Sequence, residues 1–114
     1  MKKYIFLGLI FALLTGFAFA QNLPQVTVVN NTGYTFHYLY LAPESSGDWG
    51  DDVLGNQILR DGQRIQVTLP YPLERERVYD FWAIDEDGDD YYKWDIRVTQ
   101  GARVVFVFDD IDWY

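Results

Sequence analysis

The chain has 114 residues, 17 acidic against 9 basic, with one histidine and no cysteine. Such an acidic balance repels nucleic acid and anionic membrane surfaces, and without cysteine there are no disulfides, no zinc-thiolate sites and no Cys-His catalysis. The length suits one domain.

Met1-Lys-Lys precedes an uncharged, largely apolar run from Tyr4 to Ala20 ending Ala18-Phe19-Ala20. A basic start, an apolar middle and a small-x-small end make a secretory signal peptide, with cleavage expected after Ala20. The run is 17 residues long, marginal for a membrane-spanning anchor. Removing residues 1–20 also removes Lys2 and Lys3, so the remaining 94 residues carry 7 basic and 17 acidic side chains, a formal charge of −10. The expected product is a secreted or periplasmic domain over 21–114, with no membrane association after cleavage. Secreted domains of this size often lean on disulfides or a bound metal. Here aromatic packing, from residues such as Phe36, Trp82, Trp94 and Phe106, is the expected source of stability.

Gln21–Pro24 reads as a disordered leader and Gln25–Asn30 as a first strand. Asn30-Asn-Thr-Gly33 is a turn, and only incidentally an N-x-Thr acceptor pattern. Tyr34–Ala42 is a second strand, alternating Tyr34, Phe36, Tyr38 and Tyr40 with Thr35, His37, Leu39 and Leu41. Its end is apolar on both faces, which suits a central strand, and it is expected to form a hairpin with the first. Pro43–Asp61 is the longest irregular segment. Trp49, Val53, Leu54, Ile58 and Leu59 can pin it to the core, and Asp51–Leu54 can form one helical turn with acids at its favourable end. Gln63–Leu69 is a strand with Ile65, Val67 and Leu69 inward.

Tyr79–Val98 then reads as a long hairpin closed at Asp87-Gly88, because glycine tolerates the positive φ of tight turns. After the turn Tyr92, Trp94, Ile96 and Val98 share one face, and Tyr91, Lys93, Asp95 and Arg97 the other. Gln100-Gly101 turns into a last buried strand, Arg103–Phe108, followed by an acidic-aromatic tail ending Trp113-Tyr114. About six strands at short spacing and no amphipathic helix predict a small antiparallel β-sandwich, with a small barrel as the alternative.

Two acidic clusters stand out: Asp48, Asp51 and Asp52 in the long loop, and Asp85, Glu86, Asp87, Asp89 and Asp90 in the hairpin turn. Crowded carboxylates repel, and a hard cation such as Ca²⁺, which takes six to eight oxygen ligands, relieves the repulsion. Asp48, Asp51, Asp52, Asp85, Asp87 and Asp89 are therefore the candidate metal ligands. Asp85-x-Asp87-x-Asp89 copies the start of an EF-hand loop, but Asp90 stands where that loop needs glycine and Ile96 where it needs glutamate. The competing explanation is that these acids keep a turn soluble and discourage edge pairing. A carboxylate-based hydrolase would need one acid with a raised pKa in a cleft. His37 shares a face with Leu39 and Leu41 and reads as a strand residue, not a catalytic base. Trp49, Tyr71, Trp113 and Tyr114 lie outside the alternating strands; they can stack on a sugar, meet a protein or plug the core, which is the expectation for Trp49.

In Thr32-Gly-Tyr34, Leu39-Tyr-Leu-Ala-Pro43, Asp48-Trp-Gly-Asp-Asp52 with Leu54, and Tyr79-Asp80 through Asp85-x-Asp-Gly-Asp89, the chain resembles a group of small secreted bacterial β-domains of unknown function. The resemblance spans most of Val26–Val107 and coincides with the two acidic clusters, which implies that they form one site. It implies no catalytic residues. The expectation is a non-enzymatic exported domain that binds Ca²⁺, or else a metal-free module for a basic protein or a glycan.

Overall fold

The structure, a computed structural model, describes residues 23–113. The signal-peptide segment 1–20 and Tyr114 lie outside the described residues. Among the described residues the strands are β1 (Gln25–Asn31), β2 (Phe36–Pro43), β3 (Arg64–Thr68), β4 (Val78–Asp85), β5 (Asp90–Arg97), β6 (Arg103–Val107) and β7 (Ile111–Asp112), with a 3₁₀ turn at Phe108–Asp110. They form two sheets, ordered β3-β1-β6 and β2-β4-β5-β7. This is the expected all-β sandwich, with one parallel pair, β1 with β6. Among the described residues there is no α-helix, and Asp51–Leu54 bends without forming the expected helical turn.

The core lies between the sheets. Val26 and Val28 of β1, Val67 of β3, and Val104 and Phe106 of β6 meet Phe36 and Leu39 of β2, Tyr79, Phe81 and Ala83 of β4, and Tyr91 of β5. Alternation puts one face of each sheet here, so every second residue of β1 and of β4 is buried. Phe36 packs edge-on against Phe106 at 5.3 Å between ring centroids, joining the two sheets. Val67 and Leu69 are buried and Ile65 packs partly against them, as the alternation of β3 predicts. Pro24 belongs to the folded domain rather than to a disordered leader: it is buried, and its carbonyl accepts the Leu69 N–H at 2.8 Å.

Three further sequence expectations are corrected. First, β1 and β2 form no hairpin; they lie in different sheets, and Asn30–Gly33 is the corner between them. The cause is the buried Asn30, whose Nδ2 donates to the carbonyls of Tyr34 (2.6 Å) and Leu59 (2.8 Å) while its Oδ1 accepts from Thr32 N–H and hydroxyl. Four bonds from one side chain redirect the chain out of its sheet. Second, β2 is an edge strand, not a central one. Its end is apolar on both faces because the long loop covers it: Leu39 N–H donates to the Asp52 carboxylate (2.9 Å), Val53 N–H to the Leu39 carbonyl (2.8 Å), and Phe36 and Leu59 exchange a bond pair. A free strand edge is thereby closed.

Third, simple alternation fails in two strands. In β2 the register slips between Phe36 and Tyr38, which face Asp85 and Ile84. Phe36 therefore joins Leu39 in the core, and Tyr38 and Tyr40 point outward, with His37 exposed. In β5 Tyr79 faces Ile96 and Phe81 faces Lys93, so β5 carries one extra residue. Asp95 absorbs it at φ 55°, its N–H donating to Asp80 Oδ1 at 2.8 Å. Tyr91 is thus inward before the bulge, and Ile96 and Val98 pack on the core after it. Trp94 does not share their face and is 56% exposed; of the expected core aromatics, Phe36 and Phe106 are buried, whereas Trp82 and Trp94 are not.

Candidate functional site

The β4–β5 turn is organised around Asp85, only 3% exposed. Its Oδ1 accepts the backbone N–H groups of Asp87 (2.9 Å) and Asp89 (3.0 Å), and its Oδ2 accepts the Tyr91 hydroxyl at 2.9 Å. Gly88, at φ 81°, supplies the left-handed residue that the turn requires. Asp85, Asp87 and Asp89 each place a carboxylate oxygen within 4.8 Å of the others, an arrangement that can hold a metal ion. Partial burial first, then the charges of Asp85, Asp87 and Asp90, hold the Asp89 carboxyl above its ordinary pKa. A carboxylate offers about four lone-pair sites, and three of those on Asp85 are already used within the turn. Asp87 and Asp89 would carry most of the coordination, with the remaining ligands from water.

Asp48, Asp51 and Asp52 stand outside that group. Asp52 Oδ1 accepts the N–H groups of Leu39 and Leu54 and fastens the loop to β2. Asp48 Oδ1 accepts the Gly50 N–H at 3.0 Å and borders a hollow with Pro43, Trp94 and Asp80. Asp85 pairs with Phe36, three residues along β2 from the Leu39 that holds Asp52, so at the rise of a strand the Asp52 attachment lies roughly 10 Å from the turn and the Asp48 end of the loop roughly twice as far. Asp48 and Asp52 anchor backbone, Asp51 is an exposed loop residue, and the metal-spaced group is Asp85, Asp87 and Asp89.

The feature that alternation did not expose lies on the outer face of the four-stranded sheet. Tyr38 and Tyr40 of β2, Trp82 of β4, and Tyr92 and Trp94 of β5 form one row. Centroid separations are 6.5 Å for Tyr38–Tyr40, 4.7 Å for Tyr40–Trp82, 5.9 Å for Trp82–Tyr92 and 4.8 Å for Tyr92–Trp94. The interplanar angles, 5°, 28°, 14° and 11°, show rings that overlap like shingles. Trp49 does not plug the core. It lies tilted against Trp82, Tyr92 and Trp94 at 5.5, 6.4 and 6.0 Å, carried by a loop in which Gly47 and Gly50 both have φ 67°.

Carboxylates edge this row. Trp82 Nε1 donates to Asp90 Oδ1 at 2.8 Å. Burial first and then Asp90 and Asp112 raise the Tyr92 pKa; burial first and then Asp52 raise that of Tyr40. At the Trp94 end, Trp49, Trp94, Glu44, Asp48 and Asp80 line a hollow of about 190 Å³. A second aromatic group, Tyr34, Phe108 and Trp113, sits apart from the row, with Trp113 70% exposed. The sequence signal for the row was present as Tyr38/Tyr40, Trp82 and Tyr92/Trp94 at spacings of two, but the bulges hid which face they take. No protein-family model, curated protein or solved structure matches the chain.

Proposed function

We propose that this chain is an exported, non-enzymatic binding module whose ligand surface is the aromatic outer face of the β2-β4-β5-β7 sheet. One observation carries the reading: five strand aromatics and Trp49 make a continuous ring surface on the sheet face turned away from the core. Core packing does not require it, since Phe36, Phe81, Tyr91 and Phe106 already fill the interior. Exposed aromatic surface rimmed by polar groups is the make-up of recognition sites for proteins and glycans. Export rests on the sequence of residues 1–20, and a mature N-terminus at Gln21, read by mass spectrometry of the protein from the culture medium or periplasm, tests it.

The indole N–H signals of Trp49, Trp82 and Trp94 in an NMR titration report on the face directly. Soluble oligosaccharides (cellohexaose and chitohexaose) and basic peptides are the probes. Movement of these signals by either class supports the reading. Their invariance with both classes would remove the face as the binding surface.

A second reading is favoured by the grouping of Asp85, Asp87 and Asp89: a cation, Ca²⁺ by its preference for carboxylate oxygen, bound at the turn. A ligand of the native state stabilises by RT ln(1 + [L]/Kd), so calcium at about 100 times Kd adds roughly 2.7 kcal/mol. Melting in EDTA and then in millimolar Ca²⁺ or Mg²⁺ tests it. A calcium-specific rise that Asp87→Asn abolishes supports a metal at the turn; no rise leaves the acids as turn-builders.

A further inference from the structure

The Trp94 end of the aromatic row is chemically distinct from its middle. Inside the row each ring lies against its neighbours, so the faces of Trp82 and Tyr92 are largely taken. A neutral sugar ring needs an open, flat aromatic face, and the interior of the row does not offer one. Open surface lies at both ends, Tyr38 (46% exposed) and Trp94 (56% exposed), and at Trp94 the ring meets Trp49 at 6.0 Å with a 53° tilt to make a wedge-shaped corner. The hollow in that corner, about 190 Å³, has room for about six waters, the scale of one long side chain.

Its remaining walls include three acids, Glu44, Asp48 and Asp80, and no lysine or arginine. Asp80 is fixed by Oδ1 accepting the Asp95 N–H, and Asp48 by Oδ1 accepting the Gly50 N–H. Each is held in place by one oxygen and presents the other. The four strands of this sheet contain only two basic residues, Lys93 and Arg97, and Lys93 is engaged by Asp110 at 3.1 Å.

We infer that this corner is a pocket for an arginine side chain of a basic partner polypeptide. The guanidinium stacks on the Trp94 and Trp49 rings and donates to Asp80 and Asp48. A planar cation with a fork of N–H donors satisfies both kinds of wall at once, which an ammonium or a neutral sugar does not. The formal −10 charge of residues 21–114 draws such a partner in. The inference rests on the aromatic face being the binding surface.

The test is an NMR titration of the purified protein with an acetylated tetra-arginine amide, alongside tetra-lysine and neutral cellohexaose. The arginine peptide is expected to move the indole signals of Trp94 and Trp49 and to bind more tightly than the lysine peptide. Its affinity should fall roughly tenfold between about 20 and 300 mM NaCl. Trp94→Ala and Asp80→Asn are each expected to weaken it roughly tenfold. Trp94 is largely exposed, and asparagine retains the acceptor for Asp95 N–H, so both variants should fold. Movement of the same signals by cellohexaose but not by the arginine peptide overturns the arginine pocket and leaves the face as a binding surface. Arginine binding undiminished in both variants places the peptide elsewhere and also overturns the pocket. Silence from every probe overturns pocket and face together.

Discussion

Tyr79 and Tyr91 are both fully buried, but Tyr91 donates to the Asp85 carboxylate whereas the Tyr79 hydroxyl has only the Tyr71 backbone near it and forms no hydrogen bond of good geometry. An orphaned buried hydroxyl costs stability, while a bond to a charged acceptor contributes about 1.5–3 kcal/mol. Tyr79→Phe is therefore expected to stabilise the protein by about 1 kcal/mol, and Tyr91→Phe to destabilise it by about 2 kcal/mol, in urea unfolding. Burial, with the charge of Glu76 next, pushes the Tyr79 pKa up to about 12. Burial, then the bond to Asp85, pushes Tyr91 higher still. The folded chain keeps these phenolic protons at a pH where the unfolded chain releases them, at about 10 and above. The stability they contribute is complete below that value and is lost as the pH rises beyond it; Tyr79→Phe should flatten part of the alkaline fall. Asp89 is the acidic counterpart: its raised pKa makes ionisation unfavourable to folding, so Asp89→Asn is expected to raise the melting temperature at pH 7 and to lose that advantage near pH 3. A melting curve unchanged at pH 7 would count against crowding in the turn. At this scale the sequence was partly legible. Asp87-Gly88 announces the turn, but nothing marks Asn30 as buried, because its four partners come from a corner and a loop that only the fold brings together.

Strand bodies were legible wherever alternation ran unbroken, as in β1 and β4, and faces were misread beyond each bulge. A one-residue insertion reverses every later side chain, and one histidine or one aspartate within an alternating run does not by itself mark where the insertion falls. Asp95 tests this. Asp95→Gly removes the cost of a left-handed non-glycine residue, which aspartate bears better than most, and should be neutral or stabilising by up to about 1 kcal/mol. Deleting Asp95 should be far worse: it sets Trp94 against the alternation of Ile96 and Val98, so either the row or the core loses its register. Loss of cooperative melting, or loss of the Trp49 and Trp94 indole shifts from their folded positions, is the expected readout. A deletion that melts like the parent would show that the bulge is dispensable.

Across the whole molecule, charge and topology act separately. Seventeen acids against 7 basic residues after Ala20 repel one another, and Lys93–Asp110 is an ion pair near the surface, of the kind that adds little. Raising NaCl from about 10 to about 500 mM should raise the melting temperature by roughly a few degrees by screening that repulsion. A fall would mean that attractive pairs dominate. Class and size of the fold were legible from strand count and turn residues. The sheet orders were not, because pairing between distant segments leaves no local trace. The parallel pairing of β1 with β6 sets Val28 beside Val104, 76 positions on. The first strand of the sandwich is the middle of its sheet and must wait for the last long one. A ribosome-bound or C-terminally clipped chain lacking Arg103–Val107 would hold β1 with one side open and no way to shut it. A chain cut before β6 is thus expected to be a substrate for proteases rather than a shorter domain.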